Sequence, residues 1–296
     1  MADLKISKQD LHSLMPNVAD EHLEDNFARS AWSVICEPGD GFAGFLISKM
    51  GATAALEAEI QGISTKQLKS KLFSLGFDSV ELDSFGVFEK LHAEARERWR
   101  PRLQLEMIRT ALFKINKVGG FVLTPAEPDW PQQLEDLGQH APFALWVRGS
   151  GSALRQLGQS ISIVGSRGAT SYGEFATNAM VSALVPKGYS IVSGGAYGID
   201  GIAHRSTLAL RGNTVAVMAG GLDKFYPSGN SEMLRRISQT GAVISEVPPG
   251  TVPSKWRFLQ RNRLISALSQ STLVVEAIWR SGALNTVSHS ERLERP

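Results

Sequence analysis

The stretch SISIVGSRGATSYGEFATNAMVSALVPKGYSIVSGGAYGID, residues 160–200, decides the fold. Ser160–Val164 and Tyr189–Val192 are short apolar runs rich in β-branched residues, each ending in glycine or serine. Between them, Tyr172–Val185 has the length and apolar spacing of a helix. Runs without polar alternation belong to strands buried on both faces, as in a parallel sheet. Strand, helix and strand in this order make a βαβ unit.

The pattern continues downstream. Strands are expected at Thr214–Ala219, Ala242–Ser245 and Thr272–Glu276. Helices are expected near Gly201–Leu210, Asn230–Ser238, Phe258–Leu268 and Ala283–Leu293. The expected fold is α/β: a Rossmann-like, doubly wound, mostly parallel sheet with right-handed crossovers. It is preceded by a small all-α N-terminal module.

Upstream, residues 119–150 carry two strand signals, Phe121–Thr124 and Ala144–Val147, separated by turns at Asp129–Trp130–Pro131 and Ala141–Pro142. Residues 1–118 are helical in pattern. Gly44–Ile60 reads as a helical pair broken at Gly51, Gln67–Leu75 and Val87–Trp99 as further helices, and Pro101 as the opening of one that runs to Lys117. The expected domains are a helical module, 1–118, and a Rossmann-like domain, 119–296. For the module, sterile-alpha-motif-like and helix-hairpin-helix-like arrangements are both open, as are docking and weak DNA-backbone binding.

Composition narrows the function. With 43% hydrophobic and 20% charged residues, the chain is that of an ordinary globular protein. Its apolar runs are far shorter than a membrane span, and Met1–Asp10 is polar, so no signal peptide is read and a cytoplasmic location is expected. A single cysteine, Cys36, excludes an internal disulfide and a multi-cysteine metal site; it reads as a small buried hydrophobe. Net charge is only +2, but residues 251–296 carry seven basic groups (Lys255, Arg257, Arg261, Arg263, Arg280, Arg292 and Arg295) against three acidic ones. A phosphate-attracting field is therefore expected at the C-terminal end.

In a doubly wound sheet, ligands bind beyond the carboxyl ends of the strands. Here those ends read Gly165–Ser166–Arg167–Gly168, Ser193–Gly194–Gly195–Ala196, Gly220–Gly221–Leu222–Asp223, Glu246 and Glu276. Small residues there are expected to let an anion approach backbone N–H groups at helix N-termini, and Arg167 adds a forked cation suited to phosphate. G-x-G-x-x-G and G-x-x-x-x-G-K-[ST] patterns are absent, so no dinucleotide or P-loop nucleotide cofactor is expected, nor any metal. Asp200 reads as a first-turn acid and His204 as a structural histidine. Lys255–Trp256–Arg257–Phe258–Leu259–Gln260–Arg261–Asn262–Arg263 interleaves cations with aromatics. Single-strand binders use that combination, cations tracking phosphates and rings stacking bases; a helix with a solvated basic face is the plainer alternative.

These elements resemble the DNA-processing protein A (DprA, or Smf) family. Gly165–Ser166–Arg167, Tyr172–Gly173, Ser193–Gly194–Gly195–Ala196–Tyr197–Gly198–Ile199–Asp200, Tyr226–Pro227, Phe258 with Arg261–Asn262–Arg263, and Val275–Glu276–Ala277 with Ser281–Gly282 stand in the family's order and spacing. The resemblance spans roughly residues 119–296. It implies a non-catalytic protein that binds single-stranded DNA, dimerises, and helps load RecA recombinase in natural transformation. The implied DNA contacts are Gly165, Ser166, Arg167, Gly194, Gly195, Gly220, Gly221, Lys224, Arg261 and Arg263. Where several relatives carry a pocket lysine after Tyr-Pro this chain has Ser228, with Lys224 the nearest substitute. The chain also stops at Pro296, where relatives continue into another strand, so a fragment of a longer protein is expected.

Two alternatives remain open on the same fold. One is a hydrolase of nucleoside monophosphates, although the P-G-G-x-G-T-x-x-E element of such enzymes is absent. The other is a nucleotide-sensing module.

Overall fold

The computed structural model describes residues 6–77, 88–277 and 281–296. They form two compact units, Met1–Phe113 with Gly138–Ala144, and Lys114–Leu137 with Leu145–Pro296. Val87 and Arg280, named above, lie outside the described residues.

In the first unit the helices are α1 (Lys8–Leu14), α2 (Leu23–Ile35), α3 (Gly41–Met50), α4 (Ala52–Ile60), α5 (Thr65–Ser74), α6 (Phe88–Trp99) and α7 (Leu105–Lys117), the last passing into the second unit. Gly51 separates α3 from α4 at φ +81°, a conformation open to glycine at little cost. The core is aromatic: the rings of Trp32 and Trp99 meet edge-on at 5.1 Å, and Phe42 joins Phe88 at 5.4 Å. Pro101 does not open α7. It lies in a separate 3₁₀ turn, Arg100–Arg102, and α7 begins at Leu105. The intervening Leu103 has left helical geometry, so the two pieces do not fuse.

The second unit holds one seven-stranded sheet among the described residues. Its strands are β1 (Phe121–Leu123), β2 (Leu145–Gly149), β3 (Ser160–Val164), β4 (Ser190–Ser193), β5 (Thr214–Met218), β6 (Ala242–Ser245) and β7 (Ser271–Val274), in spatial order β1-β2-β6-β5-β4-β3-β7. β6, β5, β4, β3 and β7 run parallel, and β2 and β1 extend the sheet antiparallel. From β3 the chain steps outward to β6, then returns across the sheet to place β7 on the other side of β3. That reversal beside β3 is the topological switch where such sheets open a crevice.

The helices are α8 (Gly151–Arg155), α9 (Ser171–Leu184), α10 (Ile199–Ala209), α11 (Ser231–Thr240), α12 (Lys255–Ala267) and α13 (Gly282–Arg292). Ile163 and Ile191 pack with Val181 of α9 and Ala203 of α10 on one face. Val164, Val192 and Val215 pack with Leu264 of α12 and Leu268 just after it on the other. Both faces are covered, which is why the strands lack polar alternation. The serines of β3 show how the polar residues present are satisfied. Ser162 donates to Ile265 O at 2.8 Å and Ser160 to Leu268 O at 2.7 Å, satisfying carbonyls that the end of α12 leaves open.

Candidate nucleic-acid interface

The loop after β3 carries Arg167, one of the two exposed cations among the expected contacts. Ser166 N–H donates to Glu276 O at 2.6 Å, and Ser166 O accepts from Ile199 N–H at 3.1 Å. Tied on both sides, the loop sends the Arg167 side chain outward, where its guanidinium lies over the Phe258 ring at 5.2 Å. Arg167 is exposed and, among the described residues, has no carboxylate partner. A cation held by a ring and unneutralised by protein is ready for an external anion.

The loop after β4 behaves differently from expectation. Gly194 N–H and Ala196 N–H point not at an open site but at the Asp200 carboxylate, 3.1 and 3.4 Å away. Burial raises the Asp200 pKa, an effect opposed by Arg261 and by these N–H groups. Arg261 is itself buried. Its Nη1 donates to Gly194 O at 2.8 Å and also to Val217 O, and its Nε donates to Asn262 Oδ1 at 3.2 Å. Burial lowers its pKa to about 10, against the raising effect of Asp200. The chain thus supplies its own anion to the N–H cradle and its own cation to the loop carbonyl.

This revises the reason for the glycines. A Cβ on Gly194 would come within 2.6 Å of the Arg261 guanidinium, and one on Gly165 would meet Ile199 at 2.7 Å. Gly220 packs on Pro253 and Gly221 on Pro248 O at comparable distances. These positions exclude side chains because other parts of the protein press against them, not because a ligand must. Gly195 is buried beneath Leu234 and Met218.

The remaining strand-end groups are likewise engaged. Glu276 accepts from Thr170 Oγ1 at 2.6 Å and Thr170 N–H at 3.0 Å, bonds that hold its pKa down. It therefore caps the N-terminus of α9 from within. Glu246 forms a buried ion pair with Arg263, Oε1 to Nη2 2.6 Å. Arg263 is 4% exposed and does not reach the cleft; Lys224 is exposed but lies outside the cleft lining. His204 is fully buried. Thr214 Oγ1 donates to Ile191 O, so His204 must donate to that hydroxyl through Nδ1, 2.8 Å away. Burial lowers its pKa to about 3.

What remains open is a cleft of about 980 Å³ beyond the carboxyl end of β3, between the Gly165–Gly168 loop and the helices α12 and α13. Gly165, Ser166, Arg167 and Arg261, four of the residues named from the sequence, line it. Tyr226, Lys255, Phe258 and Leu259 line it as well. Tyr226 and Phe258 lie 5.9 Å apart at 50° and form one wall. Lys255, exposed in the first turn of α12, stands where the interleaved segment placed it. Tyr226 was visible in the sequence only as part of a motif; nothing local showed that it would meet Phe258. Part of the C-terminal charge excess is taken up internally. Arg261 and Arg263 are buried, and Arg295 caps the carbonyl end of α12 through Ser266 O at 2.8 Å and Ser269 O at 3.0 Å.

Fold and cleft define a Rossmann-like protein whose strand-end site pairs uncompensated cations with aromatic rings. Residues 121–296 match the family model for DNA recombination-mediator protein A, and the chain belongs to that family. A relative in Mycobacterium tuberculosis bearing the DprA name is 39% identical over 205 residues, covering 66% of this chain and 52% of its own length. The chain thus spans about half the length of that relative. The X-ray structure of Streptococcus pneumoniae DNA processing protein A superposes with TM-score 0.60 at 28% identity, covering 73% of this chain and 77% of that one. A structure of Helicobacter pylori DNA processing protein A, described for its single-stranded DNA binding mode, superposes with TM-score 0.54 at 29% identity, covering 60% and 78%. The resemblance read from the motifs and the α/β fold expected from strand spacing both hold. Among the described residues no helix is long and apolar enough to cross a membrane.

Proposed function

We propose that this chain binds single-stranded DNA in the β3-end cleft and acts without catalysis in DNA processing, natural transformation and homologous recombination. The observation that carries the reading is Arg167: an exposed guanidinium resting on Phe258, with Tyr226 and Lys255 lining the same cleft and no carboxylate partner among the described residues. Unpaired bases need a ring face, and their phosphates a cation; the cleft offers both. Duplex DNA hides its base faces and gains nothing from Tyr226 and Phe258.

The nucleoside-monophosphate hydrolase reading is weaker on the same grounds. Glu246 and Glu276, the carboxylates at the strand ends, are bound to Arg263 and Thr170. Family membership supports RecA recombinase as the partner that receives the strand, a homodimer as the working state, and the cytoplasm as the location. The first is tested by whether the chain speeds RecA assembly on an oligonucleotide already coated by single-strand-binding protein.

The deciding experiment is fluorescence anisotropy with labelled oligo-dT and with a duplex of equal length, across a salt series. Tighter binding to the single strand, weakening with salt, is expected. Absence of binding at low salt, with release of ribose 5-phosphate from AMP, overturns the proposal.

A further inference from the structure

The cleft does not account for every exposed aromatic at this edge of the sheet. Tyr197, at the tip of the loop between β4 and α10, is 47% exposed and lies outside the cleft lining. Its ring is fixed rather than free. The backbone turns tightly around it, Gly195 at φ +66° and Gly198 at φ +72°, and its hydroxyl accepts from Gly229 N–H at 3.2 Å. Gly229 is bare for this purpose: a Cβ there would sit 2.9 Å from the ring carbon Cε1. Asn230 holds the same loop from below, its Nδ2 donating to Gly195 O at 3.0 Å and Ala196 O at 2.9 Å.

Two neighbours give this ring a context. On one side Gly198 is packed so closely on Arg167 that a Cβ would fall 2.6 Å from the Arg167 carbonyl, which makes the Tyr197 loop contiguous with the cleft. On the other, the Arg205 guanidinium lies beside Gly201, Nη1 3.1 Å from where a Cβ would stand, close to Asn230. Arg205 is exposed. It contacts the Met233 sulfur at 3.9 Å, and among the described residues it has no carboxylate partner. An immobilised ring and an uncompensated guanidinium, set on the two sides of the Gly229–Asn230 turn, supply the same two chemistries as Phe258 and Arg167 in the cleft.

We propose that Tyr197 and Arg205 form a second nucleotide step, at which a strand leaving the cleft stacks a base on Tyr197 and sets the adjoining phosphate against Arg205. The proposal rests on the cleft being the primary single-strand site. Holding the ring by its hydroxyl lowers the entropy lost when a base settles on it. It also predicts a length dependence: a short strand fills the cleft alone, and a longer one gains the second step.

The test compares oligo-dT of about four and about twelve nucleotides, lengths within the range that single-strand sites span. Tyr197→Ala is expected to weaken the longer strand about tenfold, the loss expected for one base stack, and to leave the shorter one unchanged. Tyr197→Phe keeps the ring and should lose far less. Arg205→Gln should lower the salt slope for the longer strand by about 0.7, one phosphate contact, and not for the shorter. Photo-crosslinking of the unaltered chain to an oligonucleotide carrying 5-iodouracil should map to Tyr197, a readout independent of variant folding. If the unaltered chain binds both strands, but Tyr197→Ala and Arg205→Gln bind the longer one as tightly as it does and no crosslink reaches Tyr197, the second step is refuted and the cleft reading stands. If the unaltered chain binds neither strand, the cleft reading itself fails.

Discussion

Replacing Arg167 with alanine separates function from stability more cleanly than any other change in the molecule. The side chain is exposed and lies over the Phe258 ring, 5.2 Å from the guanidinium. An exposed cation–π contact stabilises by about 0.5–1 kcal/mol, so the melting temperature should fall by a few degrees at most. A charge-assisted bond to a phosphate contributes about 1.5–3 kcal/mol, so affinity for oligo-dT should fall between tenfold and roughly a hundredfold. Removing one phosphate contact should also reduce the slope of log affinity against log salt by about 0.7. Arg167→Glu places a like charge against the phosphate and should abolish binding at moderate salt, again with little change in melting. The assay is anisotropy between about 50 and 200 mM salt, the span over which counterion release is readily measured, with parallel thermal melts. An unchanged slope, or a stability loss above about 2 kcal/mol, would refute the reasoning, because Arg167 would then be a structural residue.

Three further outcomes follow from the buried groups. Arg263→Met removes the guanidinium from the buried Glu246 carboxylate and should cost about 3–5 kcal/mol in urea unfolding, while oligo-dT affinity of the folded chain stays the same. Gly194→Ala drives a Cβ to 2.6 Å from the Arg261 guanidinium and should destabilise by about 1–3 kcal/mol; a neutral result would show that Arg261 yields without loss. His204 has a folded-state pKa of about 3, below the ordinary 6.5, so the unfolded chain binds the proton more readily. Stability is therefore undiminished above pH 6.5 and falls as pH drops from 6.5 towards 3, by about 1.4 kcal/mol per unit. His204→Asn retains a donor for Thr214 and should lose about 2 kcal/mol less than the parent between pH 7 and pH 5, measured by urea midpoints at both values.

Much of the second unit was legible in the chain. Ser160–Val164 and Ala242–Ser245 begin and end where the apolar runs do, because glycine and polar residues bound them. Strand β7 ends at Val274, two residues before the expected Glu276, since β3 pairs only that far and Glu276 turns to cap α9. Pro101 misled for a similar reason. Its fixed φ suits a helix start, but a 3₁₀ turn accommodates it equally well.

The site was legible as chemistry and not as geometry. Arg167, Phe258 and Lys255 announce themselves by residue type near a strand end. Neither glycine spacing nor charge counting could say that Asp200 would fill the N–H cradle or that Arg261 would be buried against Gly194, because both contacts join residues that only the folded sheet brings together.

Local pattern thus determined the α/β class, the strand ends at which a ligand would bind, and the residue types available there. Tertiary structure decided which of those residues remained for a ligand. A buried charge must find a partner or forgo its charge, so Asp200 was drawn against the Gly194 and Ala196 N–H groups, Arg261 against backbone carbonyls, and Arg263 against Glu246. Arg167 and Lys255, left at the solvent edge beside Tyr226 and Phe258, kept theirs for something outside the chain.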